Sequence, residues 1–431
     1  MTETYRTNVV IQSDPRFLKL KEYLINAVSP EIQNQSKQKQ PGREAIRNML
    51  LDAFNRTQAE LKPEVRDHIV NSALADLVGY GPLELLLSDP DISEIMVNGA
   101  KNIFVERNGE VLETDVQFED DDHLLRIIDR IVSPLGRRVD SDNPTADARL
   151  PDGSRVNVVI PPVAVDGPQL TIRKFLQTKM TMDDLVSMDA LTPYMAKFLE
   201  ACVGARLNIL VTGNTSSGKT TVLNALSGFI PDKERIVTIE DAVELKLRQR
   251  HVVRLETKLA NVDGSGAVSV RDLVRNALRM RPDRIVVGEV RGGEAMDMLQ
   301  AMNTGHTGSL TTLHANSPRD AVSRLETMAM MAGLDMPLLA IRKQIAAAIN
   351  LIVHLSRLSD GTRRMTHITE LPGMEGEIIT LTDIFKFTQT SVSPDGKIIG
   401  NLRPTNMRPQ FSPRLEAAGF KLGGEIFGAG L

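Results

Sequence analysis

Near the middle of the chain, the run Gly213-Asn-Thr-Ser-Ser-Gly218-Lys219-Thr220 lies between an apolar segment, Leu207-Asn-Ile-Leu-Val-Thr212, and a helix-like one, Thr221 to Phe229. Its two glycines let backbone N–H groups curl around an anion with no Cβ in the way, and the helix N-terminus that follows adds partial positive charge. Strand, glycine loop and helix in this order restrict the fold to an open α/β sheet holding a phosphate at the carboxyl end of a strand. In such a loop Gly213, Asn214, Thr215, Ser216, Ser217, Gly218 and Thr221 surround the phosphates of a nucleotide. Lys219 reaches the β- and γ-phosphates and the Thr220 hydroxyl ligates Mg²⁺, so ATP and Mg²⁺ are the expected ligands.

The second half of the chain continues the alternation that a parallel sheet with helices on both faces requires. Apolar strands are expected at Arg235 to Ile239, Ile285 to Gly288 and Ser309 to Leu313, with helices at Val270 to Met280, Glu294 to Met302 and Pro318 to Met331. Each strand ends in chemistry. Arg284-Ile-Val-Val-Gly-Glu289 puts an acid at the loop's edge of the sheet, where Glu289 can hold Mg²⁺ partly through water or polarise an attacking water. Thr238-Ile-Glu-Asp-Ala-Val-Glu244 supplies Glu240 and Glu244, either of which suits the group that orients the water. Leu310-Thr-Thr-Leu-His314 ends in an imidazole placed to sense a γ-phosphate. His306 suits that role or a structural one, and the histidine spacing fits no zinc pattern.

A chain of 431 residues is long enough for more than one core. Residues 1–60 read as an extension, partly helical or disordered, with the polar run Gln33 to Gly42 as a linker. Residues 61–178 read as an α+β domain: helical spacing from Val65 to Leu77, strands at Glu94 to Val97 and Asn102 to Glu106, and a turn at Arg107-Asn-Gly109. A helix from Asp122 and a strand from Arg155 to Ile160 follow, with the domain closing near Pro161-Pro162 and Thr171 to Phe175 leading out. The remainder, 179–431, is the nucleotide domain, with hairpins in a tail from about residue 361. Arg149, Arg155 and Arg173 in the front domain are candidates to neutralise charge on a transferred phosphoryl group.

Composition removes several classes. A net charge of −4 gives no global attraction to nucleic acid or anionic lipid. Cys202 is the single cysteine, which excludes an internal disulfide and a multi-cysteine zinc site. The N-terminus Met1 to Arg6 is polar, unlike a secretory signal, and no run approaches the ~18 apolar residues of a spanning helix.

Four segments, in this order, resemble the secretion or traffic ATPase superfamily of type II and type IV secretion and pilus assembly. They are residues 213–220, Ile239-Glu-Asp-Ala-Val-Glu244, Val287-Gly-Glu-Val-Arg-Gly292, and Thr304-Gly-His with Thr311-Thr-Leu-His-Ala-Asn316. Leu278 to Glu294 and Ser309 to Ser317, with Tyr80 to Glu84, Ile95 to Asn98 and Arg149 to Arg155, look most like the CpaF/TadA-type ATPases of Tad pili. That resemblance implies a RecA-like P-loop core preceded by a smaller PAS-like domain, and a homohexameric motor hydrolysing ATP to assemble pili, with or without retracting them. It further implies a cytoplasmic protein held peripherally at the inner membrane by polytopic platform proteins, acting on pilin indirectly and on no specific nucleic acid. A conjugation-type motor moving DNA or effector proteins is the alternative. Related motors that bind zinc carry four cysteines, which this chain lacks. Arg149, Arg155 and Arg173 are carried over as the family's trans-acting arginines.

Overall fold

The computed structural model describes residues 14–36, 41–107, 109–175, 180–258, 260 and 265–428. Residues 37–40 of the expected linker Gln33 to Gly42, the polar N-terminus and Asn108 of the expected turn lie outside these residues, whereas residues 33–36 end the helix Pro15–Ser36. The chain divides into two compact units, Met1–Gln177 and Thr178–Leu431.

In the first unit a fully antiparallel sheet has the order β3-β2-β1-β6-β5-β4. Its strands are β1 (Ile92–Asn98), β2 (Asn102–Arg107), β3 (Glu110–Glu113), β4 (Thr145–Arg149), β5 (Arg155–Val159) and β6 (Gln169–Arg173). The sheet does not close at Pro161-Pro162. Strand β6, read from sequence as an exit, is flanked by β1 and β5, because Leu170 and Ile172 are needed in the core beside Ile95, Val97, Val156 and Val158. The helix Asp121–Val132 packs Leu124, Ile127, Ile128 and Ile131 into that core and is capped by Asp120, which accepts from the His123 amide.

Three further helices, Pro15–Ser36, Arg43–Arg56 and Pro63–Val78, share a separate apolar cluster built from Leu24, Val28, Ile46, Leu50, Ile69 and Ala73. The front helices thus gain a core only by packing on Pro63–Val78. Lys21 pins the arrangement: its Nζ lies 2.8 Å from Asp76 and 2.7 Å from Glu119, with the side chain 10% exposed. Asp76, Glu119 and His123 have metal-ligand spacing, and the Lys21 ammonium already bridges the two carboxylates.

The second unit holds a nine-stranded sheet of order β15-β14-β13-β12-β7-β11-β10-β8-β9. Parallel pairing joins β7 (Ile209–Gly213), β8 (Ile236–Glu240), β9 (Val252–Glu256), β10 (Arg284–Val287), β11 (Leu310–His314) and β12 (Leu351–Arg357). Strands β7, β8 and β10 are buried along their whole length, as a sheet covered on both faces demands. Alternation sorts their side chains. Ile209 and Val211 join one cluster with the helices Pro193–Gly204 and Lys219–Ser227, while Leu210 joins the opposite cluster with Glu294–Asn303, Pro318–Met330 and Leu338–Ala348.

The tail is part of this sheet. Strands β13 (Arg363–Glu375), β14 (Ile378–Val392) and β15 (Ile398–Pro404) extend it by antiparallel pairing from β12. Beyond them Phe411 and Phe427 return to pack on Phe198 together with Phe385 of β14. Among the described residues no helix is long and apolar enough to cross a membrane.

Candidate active site

The loop Gly213–Thr220 leaves β7 and enters the helix Lys219–Ser227 through two residues whose φ suits glycine, Gly213 at 153° and Gly218 at 94°. Crowding fixes Gly213 as firmly as conformation does. A Cβ there would meet the Leu355 carbonyl oxygen at 2.4 Å and Ser217 Oγ at 2.5 Å. Lys219 is 8% exposed, and its Nζ donates to the Asn214 carbonyl at 3.0 Å. Asn214 and Thr215 are exposed, and Ser216, Thr220 and Thr221 are half-buried.

The sheet order β7-β11-β10-β8 brings the expected strand ends to one edge in succession. His314 is paired with Gly213 in register, and both of its ring nitrogens lie 3.4 Å from Lys219 Nζ. Its Nε2 lies 2.8 Å from Glu289 Oε1. Burial pushes the imidazole below its ordinary 6.5; the Glu289 carboxylate opposes that shift, and Lys219 adds to it. The ring is therefore mainly neutral at pH 7, with one nitrogen donating and one accepting.

Glu289 follows β10 and is also held by Arg291, whose Nε donates to Oε2 at 2.7 Å. Glu289 Oε1 is buried and faces His314 Nε2, and the carboxylate offers its remaining lone pairs to a cation or a water. With the nearby loop and Thr220, this donor set fits a hard cation that prefers oxygen ligands.

One strand further on, the two acids of the 240–244 segment have different surroundings. Glu240, 3% exposed, accepts from the backbone amides of Glu244 at 2.9 Å and Leu245 at 3.0 Å. That carboxylate shapes the turn, and its Cγ sits 2.9 Å from where a Cβ on Gly288 would stand. Glu244 is half-buried at the end of the same turn.

Arg149, Arg155 and Arg173 belong to the first unit, where the register aligns all three. Arg149 faces Arg155 across β4 and β5, and Arg155 faces Arg173 across β5 and β6. Directly opposed residues share a face, so three guanidinium side chains stand in one row. His306 lies at the amino end of β11, away from the strand ends that carry His314 and Glu289; its carbonyl accepts from Ser309 Oγ at 2.8 Å.

Arg291, two residues past Glu289, grips its carboxylate, and one further residue carries no signal in the sequence. Arg363, at the start of β13, donates from Nε to the Ser216 carbonyl at 2.8 Å across 147 residues. Its neighbours in sequence carry no motif that points to the loop.

The family model for Type II/IV secretion system proteins matches residues 76–391. The chain belongs to the type II/IV secretion ATPase family. Similar members include a putative conjugal transfer protein of Mycobacterium tuberculosis, 39% identical over 71% of this chain and 88% of that one. The conjugal transfer protein TrbB of Rhizobium radiobacter is 33% identical over 67% of this chain and 86% of its own. The type IV secretion system protein VirB11 of Brucella suis is 32% identical over 67% and 88%. Among solved structures, the Brucella suis VirB11 ATPase in complex with sulphate aligns over 68% of this chain and 93% of that chain, at 31% identity and a TM-score of 0.37.

Proposed function

We propose that this secretion ATPase binds ATP in the loop 213–220, hydrolyses it, and works as a homohexameric motor that assembles a Tad-type pilus. One observation carries the catalytic reading: Lys219, His314 and Glu289 meet within hydrogen-bonding reach at the strand edge beside the loop. The three side chains converge at the strand edge where the loop would present the terminal phosphate.

In this reading the loop amides and Lys219 bind the β- and γ-phosphates, and the single His314 N–H would turn from Glu289 to a γ-phosphate oxygen. Thr220 and Glu289 would hold Mg²⁺, partly through water; when bound, that ion neutralises phosphate charge. Arg291 keeps the Glu289 carboxylate turned toward the edge. Glu240 or Glu244 would orient the attacking water; one Glu240 oxygen serves two backbone amides, which fixes that side chain at the strand end. Arg149, Arg155 and Arg173, aligned in one row of the front sheet, are the candidates to meet an anion. Supplied from a neighbouring subunit, they would stabilise the transferring phosphoryl group and make turnover depend on ring assembly.

The Tad assignment rests on the segments 278–294, 309–317, 80–84, 95–98 and 149–155. Under it the protein is cytoplasmic and docks peripherally on polytopic inner-membrane platform proteins, moving pilin through them. A second reading, a conjugation-type motor for DNA or effector proteins, is favoured by the names of the TrbB and VirB11 relatives. Deleting the gene and comparing pilus imaging with a substrate-transfer assay separates the two. Glu289→Gln tests the chemistry: turnover is expected to fall at least roughly 100-fold while ATP still binds. Unchanged turnover in that variant would refute the catalytic assignment.

A further inference from the structure

Three residues of the loop have left-handed or related φ values: Gly213 at 153°, Ser216 at 58° and Gly218 at 94°. Glycine adopts such angles freely, whereas Ser216 carries a Cβ and is strained there. Something outside the loop must hold it. The Ser216 carbonyl accepts from Arg363 Nε at 2.8 Å, and Arg363 Cδ passes 3.8 Å from where a Cβ on Gly218 would stand.

Arg363 is itself firmly placed. It opens β13 opposite Arg357 of β12, and β12 lies directly against the loop, with Leu355 paired to Gly213. The turn between the two strands is closed by bonds from Leu358 to the Thr362 carbonyl at 2.8 Å and from Gly361 to the Leu358 carbonyl at 3.0 Å. Asp360 braces that turn, accepting from Thr362 Oγ1 at 2.6 Å, from the Thr362 amide at 3.0 Å, and from the Ile398 amide of β15 at 2.8 Å. A rigid path therefore runs from β15 through Asp360 and the hairpin to the loop.

We propose that Arg363 is a positioning residue of the nucleotide site, holding Ser216 in its left-handed conformation and fixing the Ser216–Ser217 peptide for phosphate. In a planar trans peptide the carbonyl and the next N–H point to opposite sides. With the Ser216 oxygen turned out to Arg363, the Ser217 N–H turns inward, where it donates to the Asn214 carbonyl at 3.3 Å. An amide held on that side needs only to exchange the Asn214 carbonyl for a phosphate oxygen, with no turn of the peptide. Arg363 touches no reacting atom, so its effect belongs to binding. The inference rests on the ATP-site reading above.

The test is a double-mutant cycle on the full chain, with ADP affinity measured by calorimetry and kcat and KM measured for ATP. Arg363→Ala is expected to weaken ADP and raise KM by roughly tenfold with kcat little changed. Glycine at 216 removes the strain, so in a Ser216→Gly background the same substitution is expected to cost less than about twofold. Arg363→Lys keeps the charge without the Nε–H and should resemble Arg363→Ala. Wild-type affinity in either Arg363 variant overturns the proposal, as does an undiminished penalty in the Ser216→Gly background, which would mean that Arg363 meets the nucleotide directly. Lys219→Ala serves as the control. If it binds nucleotide normally the site reading itself fails, whereas lost binding there with a silent Arg363→Ala removes only this inference.

Discussion

His354 gives the site a pH dependence whose size follows from its surroundings. It lies on β12 beside β7, 3% exposed, and its Nδ1 is 2.8 Å from Thr212 Oγ1, the residue before the loop. Burial lowers its pKa from 6.5 to about 4, helped by His367 and Lys219 and opposed by a bond to the Asn316 backbone and by Asp320. The bond that favours the protonated ring is one the ring donates, to the Asn316 carbonyl. Nδ1 must then accept the Thr212 hydroxyl proton, which only the neutral ring can do.

For a base with a depressed folded pKa, the unfolded chain binds the proton more readily, so stability rises with pH. His354 carries no penalty above pH ~6.5, an increasing one as pH falls toward ~4, and a constant one below that. The full depression, from 6.5 to about 4, corresponds to about 3 kcal/mol. His68, His314 and His367 are also pushed down by burial and slope the same way, so the wild type must be compared with His354→Gln. Urea unfolding at about pH 7.5 and about pH 4.5 should show the wild type losing about 2–3 kcal/mol more than the variant over this window. Parallel pH profiles for the two proteins would refute the buried neutral imidazole and its bond to Thr212.

Two further substitutions probe the same unit. Gly213→Ala should weaken ATP by at least roughly 100-fold with secondary structure retained by circular dichroism, since a Cβ 2.4 Å from the Leu355 carbonyl forces β12 or the loop to move. Normal binding would mean that β12 does not lie against the loop as described. Phe198→Ala removes a fully buried ring that meets Phe385, Phe411 and Phe427 at 5.5, 6.2 and 5.9 Å. It should cost about 3–5 kcal/mol in thermal unfolding and speed proteolysis after Pro404, whereas a loss below about 1 kcal/mol would detach the tail from the core.

Local chemistry in the sequence determined the phosphate loop, because its glycines and lysine function within a few residues of one another. It also determined β7, β8 and β10, whose mainly apolar runs are what burial on both faces requires, and β11, where Thr311 and Thr312 stand between two leucines. With those strands parallel, their carboxyl ends had to share an edge, and so Glu240, Glu289 and His314 were legible as candidates before any coordinates. What their spacing left undecided was the pairing across strands. Sheet order set His314 of β11 beside Lys219 and Glu289, contacts that cross from strand to strand.

The β12–β13 hairpin shows why the remainder stayed hidden. His354 sits in an apolar run, and Arg363 in a polar tail, so neither carries a local signal; each acquires its role from a strand insertion that places β12 against β7. The same holds for Arg149, Arg155 and Arg173, aligned only once β6 takes its place in the middle of the front sheet. Periodicity and motif spacing report contacts a few residues apart, whereas hydrogen bonds such as Arg363 to Ser216 span 147 residues and exist only after the sheet has closed.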